Sequence, residues 1–471
     1  MTDKRKRTTT RRSFIARTGL AAAGMAVGKT GLSAAAYERV TGANDKIRVG
    51  FIGAGNRGTQ LLNTFIKMKD CEVAALCDVY EPYITRDYSK VDPRYISTRP
   101  MQIPKMGENF PANTGRYSDY RKMLENKSID AVCISTPDHW HALQTIHSVQ
   151  AEKDVYIEKP LSKTVTEGRA MIKAAGESKQ IVTVGLNRRA ASAFRRLARE
   201  IPEGKIGKVT FASACHVGNM YPSGIGKCRP EDPPADLDWN TWLGPRAYRP
   251  YQYNIAPYMF RWWEDYANQI SNNGVHYLDL IRWMLNEVAP VAVSCNGGKY
   301  VVDDDRTIPD TMQATYEFAS GVLVSVNILE GSSGSFIPYG FIEMRGSHGT
   351  LLTAENDYRI IPTHPGQFQT WEKLMDGETV DMKSDNEYLA DGSYRDSTSN
   401  LVRNFLDCIK SRNEPYCTLE EGHRSTSLAH LATIALMTGE RLLWDGEKER
   451  FTNSEKANGM LGYEYRKPWK L

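Results

Sequence analysis

From about residue 46 the chain alternates short apolar runs with stretches of helical apolar period. Ile47–Ile52 is a short apolar run that leads into glycine, the pattern of a buried strand. A glycine-rich turn follows, then an apolar-periodic helix over residues 58–69. Residues 71–77 form a second strand ending at Asp78, and 81–116 are irregular, rich in Pro, Tyr and Arg. The pattern then predicts a helix over 117–126, a strand at 130–135, a helix over 139–151, a strand at 154–158, a helix over 166–178 and a last strand at 181–185. Strands alternating with helices of this length imply a parallel, doubly wound sheet over residues 46–185.

The pattern changes after residue 186. Strand-like runs at 208–216, 291–296, 311–318, 322–329 and 341–345 include neighbours with no helix between them. They predict a mostly antiparallel sheet in a second α/β domain spanning 186–445. Long helices are predicted at 276–285, 400–409 and 419–443. Residues 217–263 read as a loop dense in Pro and aromatics, and residues 446–471 as an extended tail.

Gly53-Ala54-Gly55-Asn56-Arg57-Gly58 stands between the first strand and its helix. In this pattern the first glycine permits the turn and the second lets the backbone approach a pyrophosphate. The third lets helix and strand pack closely, with the helix N-terminus facing the phosphates. Asp78 ends the next strand, twenty residues after Gly58, where a carboxylate grips the adenosine ribose hydroxyls. A carboxylate there repels a 2′-phosphate, so the pattern favours NAD over NADP; FAD and S-adenosylmethionine use similar sheets.

Composition adds a compartment. Residues 1–36 hold eight Lys/Arg against the single acid Asp3, a charge of +7 that exceeds the net +4 of the whole chain, so the body is mildly acidic at −3. That argues against a nucleic-acid partner. Arg11-Arg12-Ser13-Phe14-Ile15, a weakly apolar run from Leu20 and Ser33-Ala34-Ala35-Ala36 resemble a twin-arginine export signal, which predicts a periplasmic or otherwise exported protein. No later stretch is apolar enough to insert in a membrane. Cys71 and Cys77 lie on one strand, about 20 Å apart at 3.3 Å per residue, and the eight cysteines read as buried apolar residues rather than a disulfide frame.

Ser135-Thr136-Pro137-Asp138-His139-Trp140-His141, Glu158-Lys159-Pro160, Val184-Gly185-Leu186-Asn187-Arg188, Asn273-Gly274-Val275-His276 and Gly346-Ser347-His348-Gly349 together resemble the Gfo/Idh/MocA oxidoreductases. The resemblance implies a Rossmann domain followed by an α/β domain with an open sheet, through whose face many members form homo-oligomers. It places a small sugar or glycoside between the domains, over the nicotinamide. Lys159 is implied at the substrate hydroxyl and His276 as acid/base. Thr136, Pro137, Trp140, His141, Glu158 and Asn187 are implied on the cofactor side. Many members carry Asp four residues before that His. Here Asn272 stands there, and asparagine orients a hydroxyl but takes no proton, which leaves His276 and Lys159 both open as the base. Arg261 and Trp262, in the aromatic loop, are candidates to hold the sugar. Asp138, His139 and His141 suggest zinc by spacing alone, with no second ligand pair to support it, and no metal is assigned.

Export constrains the function. An exported dehydrogenase meets little free dinucleotide, so it must hold NAD and regenerate it in place, with residues 81–116 or the tail after Arg450 available to cover the adenosine. One scheme is an oxidoreductase acting on a sugar carbinol. The alternative is a redox-neutral glycosidase, as in the similar exported family 109, which replaces Glu-Lys-Pro and uses a Tyr-Pro-Thr-His element. This chain keeps Glu158-Lys159-Pro160, and Tyr221-Pro222-Ser223 lacks the His. The sequence therefore favours the oxidoreductase. A non-catalytic, NAD-bound sugar-binding protein is the third reading.

Overall fold

The computed structural model describes residues 46–97, 103, 105–108, 110–381 and 396–471; the expected export leader lies outside the described residues. Six parallel strands form the first sheet in the order β3-β2-β1-β4-β5-β6. They are β1 (Ile47–Ile52), β2 (Cys71–Cys77), β3 (Gly115–Tyr117), β4 (Ala131–Ile134), β5 (Asp154–Ile157) and β6 (Val182–Val184). Helices α1 (Asn56–Ile66), α2 (His141–Gln150) and α3 (Val165–Gly176) alternate with them, as the periodicity predicts. β3 falls inside the stretch predicted to be irregular. It is too short to show a period, and its pairing with residues 75–77 of β2 supplies the order. Tyr117 is thereby taken into the sheet, and the helix predicted from 117 begins only at Tyr120, where the Asp119 carboxylate accepts the Arg121 N–H.

The second sheet has ten strands, continuing with β7 (Val209–Val217), β8 (Ala292–Gly298), β9 (Thr311–Glu317), β10 (Leu323–Leu329), β11 (Ile342–Gly346), β12 (Gly349–Thr353), β13 (Asp357–Pro362), β14 (Glu378–Asp381), β15 (Leu442–Asp445) and β16 (Arg450–Phe451). Among the described strands of this sheet only the β7–β10 pair is parallel. Helices α4 (Ser192–Glu200), α5 (Val275–Met284) and α7 (Leu419–Thr438) contribute to the same apolar core as the sheet's Val324, Val326 and Ile328. α6 (Ser397–Ser411) instead returns to the first sheet, where Leu401, Phe405 and Ile409 join the core of Phe51 and Phe65. The helix predicted over 419–443 stops at Thr438. Gly439 takes a positive φ of 71°, and the apolar run beyond it pairs with β8 as β15.

One buried ion cluster fixes the helix that carries His276. Arg189, in the loop after β6, forms a bidentate pair with Asp279 of α5 at 2.8–3.0 Å and reaches Glu421 of α7 at 2.7 Å. Ser425 donates to Asp279 at 2.6 Å. Arg189 and Asp279 are almost wholly removed from solvent, so removing one charge strands the other. Asp279→Asn is expected to lower the midpoint of urea unfolding, with a loss of about 3–5 kcal/mol. An unchanged midpoint would show that the cluster does not hold α5.

Candidate active site

A cavity of about 380 Å³ opens at the carboxyl ends of the first sheet's strands, within the size range of small-molecule sites, roughly 300–1,000 Å³. Its floor is the glycine turn after β1, Asp78 after β2, residues 135–138 and Trp140 after β4, and Glu158 and Lys159 after β5. Its roof comes from the second domain, through Leu237, Asp238, Thr241, Trp242 and residues 257–258 and 260–261, and from Trp469 in the tail.

The glycine turn leaves no room for side chains. A Cβ on Gly53, whose φ is 85°, would lie 2.7 Å from the Thr136 nitrogen, and one on Gly58 would lie 2.1 Å from the Gly53 oxygen. The first glycine thus makes the turn and the last lets α1 start against the strand. Asp78 accepts from the backbone N–H of Ala54 at 2.7 Å, Val79 at 2.8 Å and Tyr80 at 3.1 Å. Three of the carboxylate's four or so acceptor positions are filled, which leaves room for one hydroxyl donor. Burial pushes its pKa up to about 6, against the pull of those three N–H groups. Asp138, 6% exposed, lines the same cavity with its Oδ2 buried and unpartnered, and burial raises its pKa. A bare backbone cradle, an acceptor after β2 and an orphaned buried oxygen fit a dinucleotide.

At the far end Arg57 donates to Glu158 at 2.8 Å. Glu158 is held against Gly185, where a Cβ would come within 2.9 Å of its carboxyl carbon. Among the described residues Lys159 has no carboxylate partner. Its ammonium donates to the Asn272 carbonyl oxygen at 2.7 Å and to the Asn272 Oδ1 at 3.0 Å. Burial lowers its pKa to about 8, outweighing Glu158 and Asp138. Asn272 sits in a single π-helical turn, Ile270–Gly274, that runs directly into α5; such turns concentrate at functional sites.

The match to known families follows the same division. A model described as the oxidoreductase family's NAD-binding Rossmann fold matches residues 47–186, and one described as that family's C-terminal alpha/beta domain matches residues 248–441, together well over half of the chain. The chain belongs to the Gfo/Idh/MocA oxidoreductase family. Its first domain is that family's NAD-binding domain, and NAD is the cofactor. Among curated relatives it is similar to a "glycosyl hydrolase family 109 protein" of Shewanella pealeana, 32% identical over 170 residues, and to one of Shewanella sp. strain ANA-3, 27% identical over 175 residues. These matches cover 33–37% of this chain, and the chain spans 35–36%, about a third, of the relatives' length. Among solved structures it resembles the WlbA dehydrogenase of Bordetella pertussis, with a TM-score of 0.59 at 18% identity over 85% of this chain and 99% of that one. It also resembles a levoglucosan dehydrogenase (TM-score 0.60, 16% identity, 84% and 99% coverage) and the aldose-aldose oxidoreductase of Caulobacter crescentus (0.56, 16%, 84% and 99%).

Within this Gfo/Idh/MocA fold the residues singled out from the sequence divide. Gly53, Gly55, Asn56, Arg57, Asp78, Thr136, Pro137, Trp140, Glu158, Lys159, Arg261 and Asn272 line the cavity. Gly58, His141, Asn187, Trp262 and His276 stand outside its lining. His141 lies with its two ring nitrogens 2.7 Å from the Pro160 oxygen and 2.9 Å from the Thr136 oxygen, tying the two cofactor-side loops together. Asn187 donates to Ser397 and Thr398 at the start of α6. Trp262 gives its indole N–H to Glu330. His276 is held neutral by burial beside Arg188, Lys159 and Arg57, and its Nδ1 has no partner. His139 donates to the Trp242 oxygen at 2.9 Å, and among the described residues no cluster of three or more His, Cys, Asp or Glu is arranged for a metal. Among them, too, no helix is long and apolar enough to cross a membrane. Sequence reasoning named the segments 81–116 and the tail after Arg450 as covers for the adenosine without singling out Tyr83 or Trp469, which line the cavity, and it weighed Asp138 only as a metal ligand.

Asp78→Ser is expected to weaken NADH binding and to improve NADPH binding relative to it, as read by fluorescence titration. A wild-type protein that already prefers NADPH would contradict the role given to Asp78.

Proposed function

We propose that this protein oxidises a carbinol of a sugar or sugar derivative, with Lys159 as the group that takes the hydroxyl proton. The observation that carries this reading is the Lys159–Asn272 pair at the cavity's edge. A neutral lysine amine has two N–H donors and one lone pair. The Asn272 carbonyl and Oδ1 accept both donors, so the lone pair is left for a substrate hydroxyl. With a pKa of about 8 the amine changes form near neutral pH, which suits a general base. NAD, when bound, supplies the hydride acceptor. Lys159 removes the hydroxyl proton as the carbinol C–H bond breaks, and gives it back when a carbonyl is reduced. Arg261 lines the cavity with no carboxylate partner among the described residues and offers N–H donors to an oxygen of the substrate or cofactor. His276, neutral, is placed four residues after Asn272, at the start of α5.

We further read residues 1–36 as an export leader. An exported enzyme that released NAD would lose it by dilution, so the reading requires a dissociation constant near nanomolar, about −12 kcal/mol. The redox-neutral glycosidase remains a second reading, favoured by the names of the Shewanella relatives over a third of their length. It is disfavoured by Tyr221, which is 60% exposed and does not line the cavity. Sugars and aryl glycosides incubated with the protein without added NAD separate the two: a keto-sugar or lactone supports the oxidoreductase, and free aglycone supports the glycosidase.

In the oxidation direction the rate is expected to rise with pH through about 8 and then level, because only the neutral amine accepts a proton. Lys159→Met is expected to lower turnover about 10²–10⁴-fold with NAD still bound. Asn272→Asp is expected to shift the profile to higher pH, because an added carboxylate stabilises the ammonium form. A Lys159→Met enzyme within about tenfold of wild type, or a profile unmoved by Asn272→Asp, would contradict the assignment. Protein purified without added cofactor is expected to release NAD or NADH stoichiometrically on denaturation; empty protein would contradict retention.

A further inference from the structure

The C-terminal tail touches both domains and reaches the cavity through Trp469. Leu461 accepts from the Thr166 backbone N–H at 3.0 Å and from its hydroxyl at 2.8 Å, at the start of α3. Tyr465 donates to the buried Glu167 of the same helix at 2.6 Å. Arg466 then crosses to the second domain, donating to Gly244 at 3.0 Å and to Asn240 at 2.8 and 2.9 Å. Three residues on, Trp469 lines the cavity. Its ring meets Trp140 edge-to-face, with centroids 4.8 Å apart at 83°, and the Arg121 guanidinium lies 5.2 Å over it.

These contacts locate Trp469 along the dinucleotide. The sheet order β3-β2-β1-β4-β5-β6 sets Asp78, after β2, and Ser118–Arg121, after β3, at one end of the cavity, with Lys159, after β5, at the other. The reacting carbon belongs at Lys159, so the adenosine belongs at the Asp78 end, and Arg121, under which Trp469 lies, is at that end. A half-buried indole held by an arginine above it and a tryptophan at its edge is a stacking surface for a planar base.

We propose that the tail, residues 459–471, is a cofactor-binding element. Trp469 and Arg121 cover the adenosine end of NAD, and because Arg466 and Tyr465 tie the tail to opposite walls, the dinucleotide leaves only when the tail lets go. This rests on the reading of the cavity as the NAD site and supplies a physical source for the retention that export demands. It assigns to residues near the chain end a part in cofactor affinity and none in proton transfer.

The test is cofactor release and fragment binding rather than turnover. NADH dissociation is followed by the fluorescence change on dilution into excess NAD, and the affinities of ADP-ribose and nicotinamide mononucleotide are measured separately. Trp469→Ala is expected to speed NADH release about tenfold or more, the scale of one lost aromatic–base stack. It should weaken ADP-ribose by a similar factor and leave nicotinamide mononucleotide unchanged, while Trp469→Phe restores most of the affinity. Arg121→Ala, a change at a side chain 54% exposed, is expected to speed release in the same direction and covers the case in which Trp469→Ala fails to fold. Equal loss of both fragments, or release at the wild-type rate in Trp469→Ala or, if that variant does not fold, in Arg121→Ala, would overturn the proposal. A wild-type protein that binds no NADH would instead overturn the dinucleotide reading beneath it.

Discussion

Two hydrogen bonds from Lys159 to Asn272 join the end of β5 in the first domain to the π-helical turn before α5 in the second. The chemistry proposed here depends on that contact. Lys159 is delivered by a parallel strand whose carboxyl end must open into a cleft, as in all sheets of this winding. Asn272 is delivered by a helix pinned from behind by the Arg189–Asp279 pair. Neither domain alone sets the amine in place. In the proposed reading the base is assembled where the two domains meet, with the reacting carbon between the dinucleotide and the aromatic loop.

The electrostatics follow from burial. Lys159, Arg261 and Arg188 have no carboxylate within ion-pair distance among the described residues, while Arg57 is matched by Glu158. Removing an ammonium from water without a counter-charge favours its neutral form, and this tunes Lys159 toward a base at moderate pH. The same surroundings hold His276 neutral, and it stands outside the cavity's lining. Asparagine at 272 matters in this balance, since a carboxylate there would restore the charge that burial removes. Asp138, buried with an unpartnered oxygen, is the complementary feature on the cofactor side.

Much of this was legible in the sequence because it is local. β1, the glycine turn, α1 and β2 ending at Asp78 carry their signal in consecutive residues, and the cradle forms where the spacing places it. What was not legible depends on partners distant in the chain. β3 and β13–β16 are strands ordered by pairing, and α7 was overextended because an apolar run continues past Gly439 into β15. Asn187 and Trp262 have types suited to a site, yet Ser397 and Glu330 take their hydrogen bonds. The sequence offers the whole tail after Arg450 as a cover but does not single out Trp469; its packing on Trp140 and Arg121 does.

The central claim is that a carbinol loses its hydride in this cavity with Lys159 as proton acceptor. A single-turnover experiment tests it most directly: NAD-loaded protein is mixed with a panel of sugars, and the near-ultraviolet absorbance of reduced nicotinamide is followed in the wild type and in Lys159→Met. The account predicts a rapid rise with at least one sugar, reaching the amount of bound cofactor, and a rise about 10²–10⁴-fold slower in the variant. Equal rates in the two proteins, or no reduction of bound NAD by any sugar that is turned over, would contradict it.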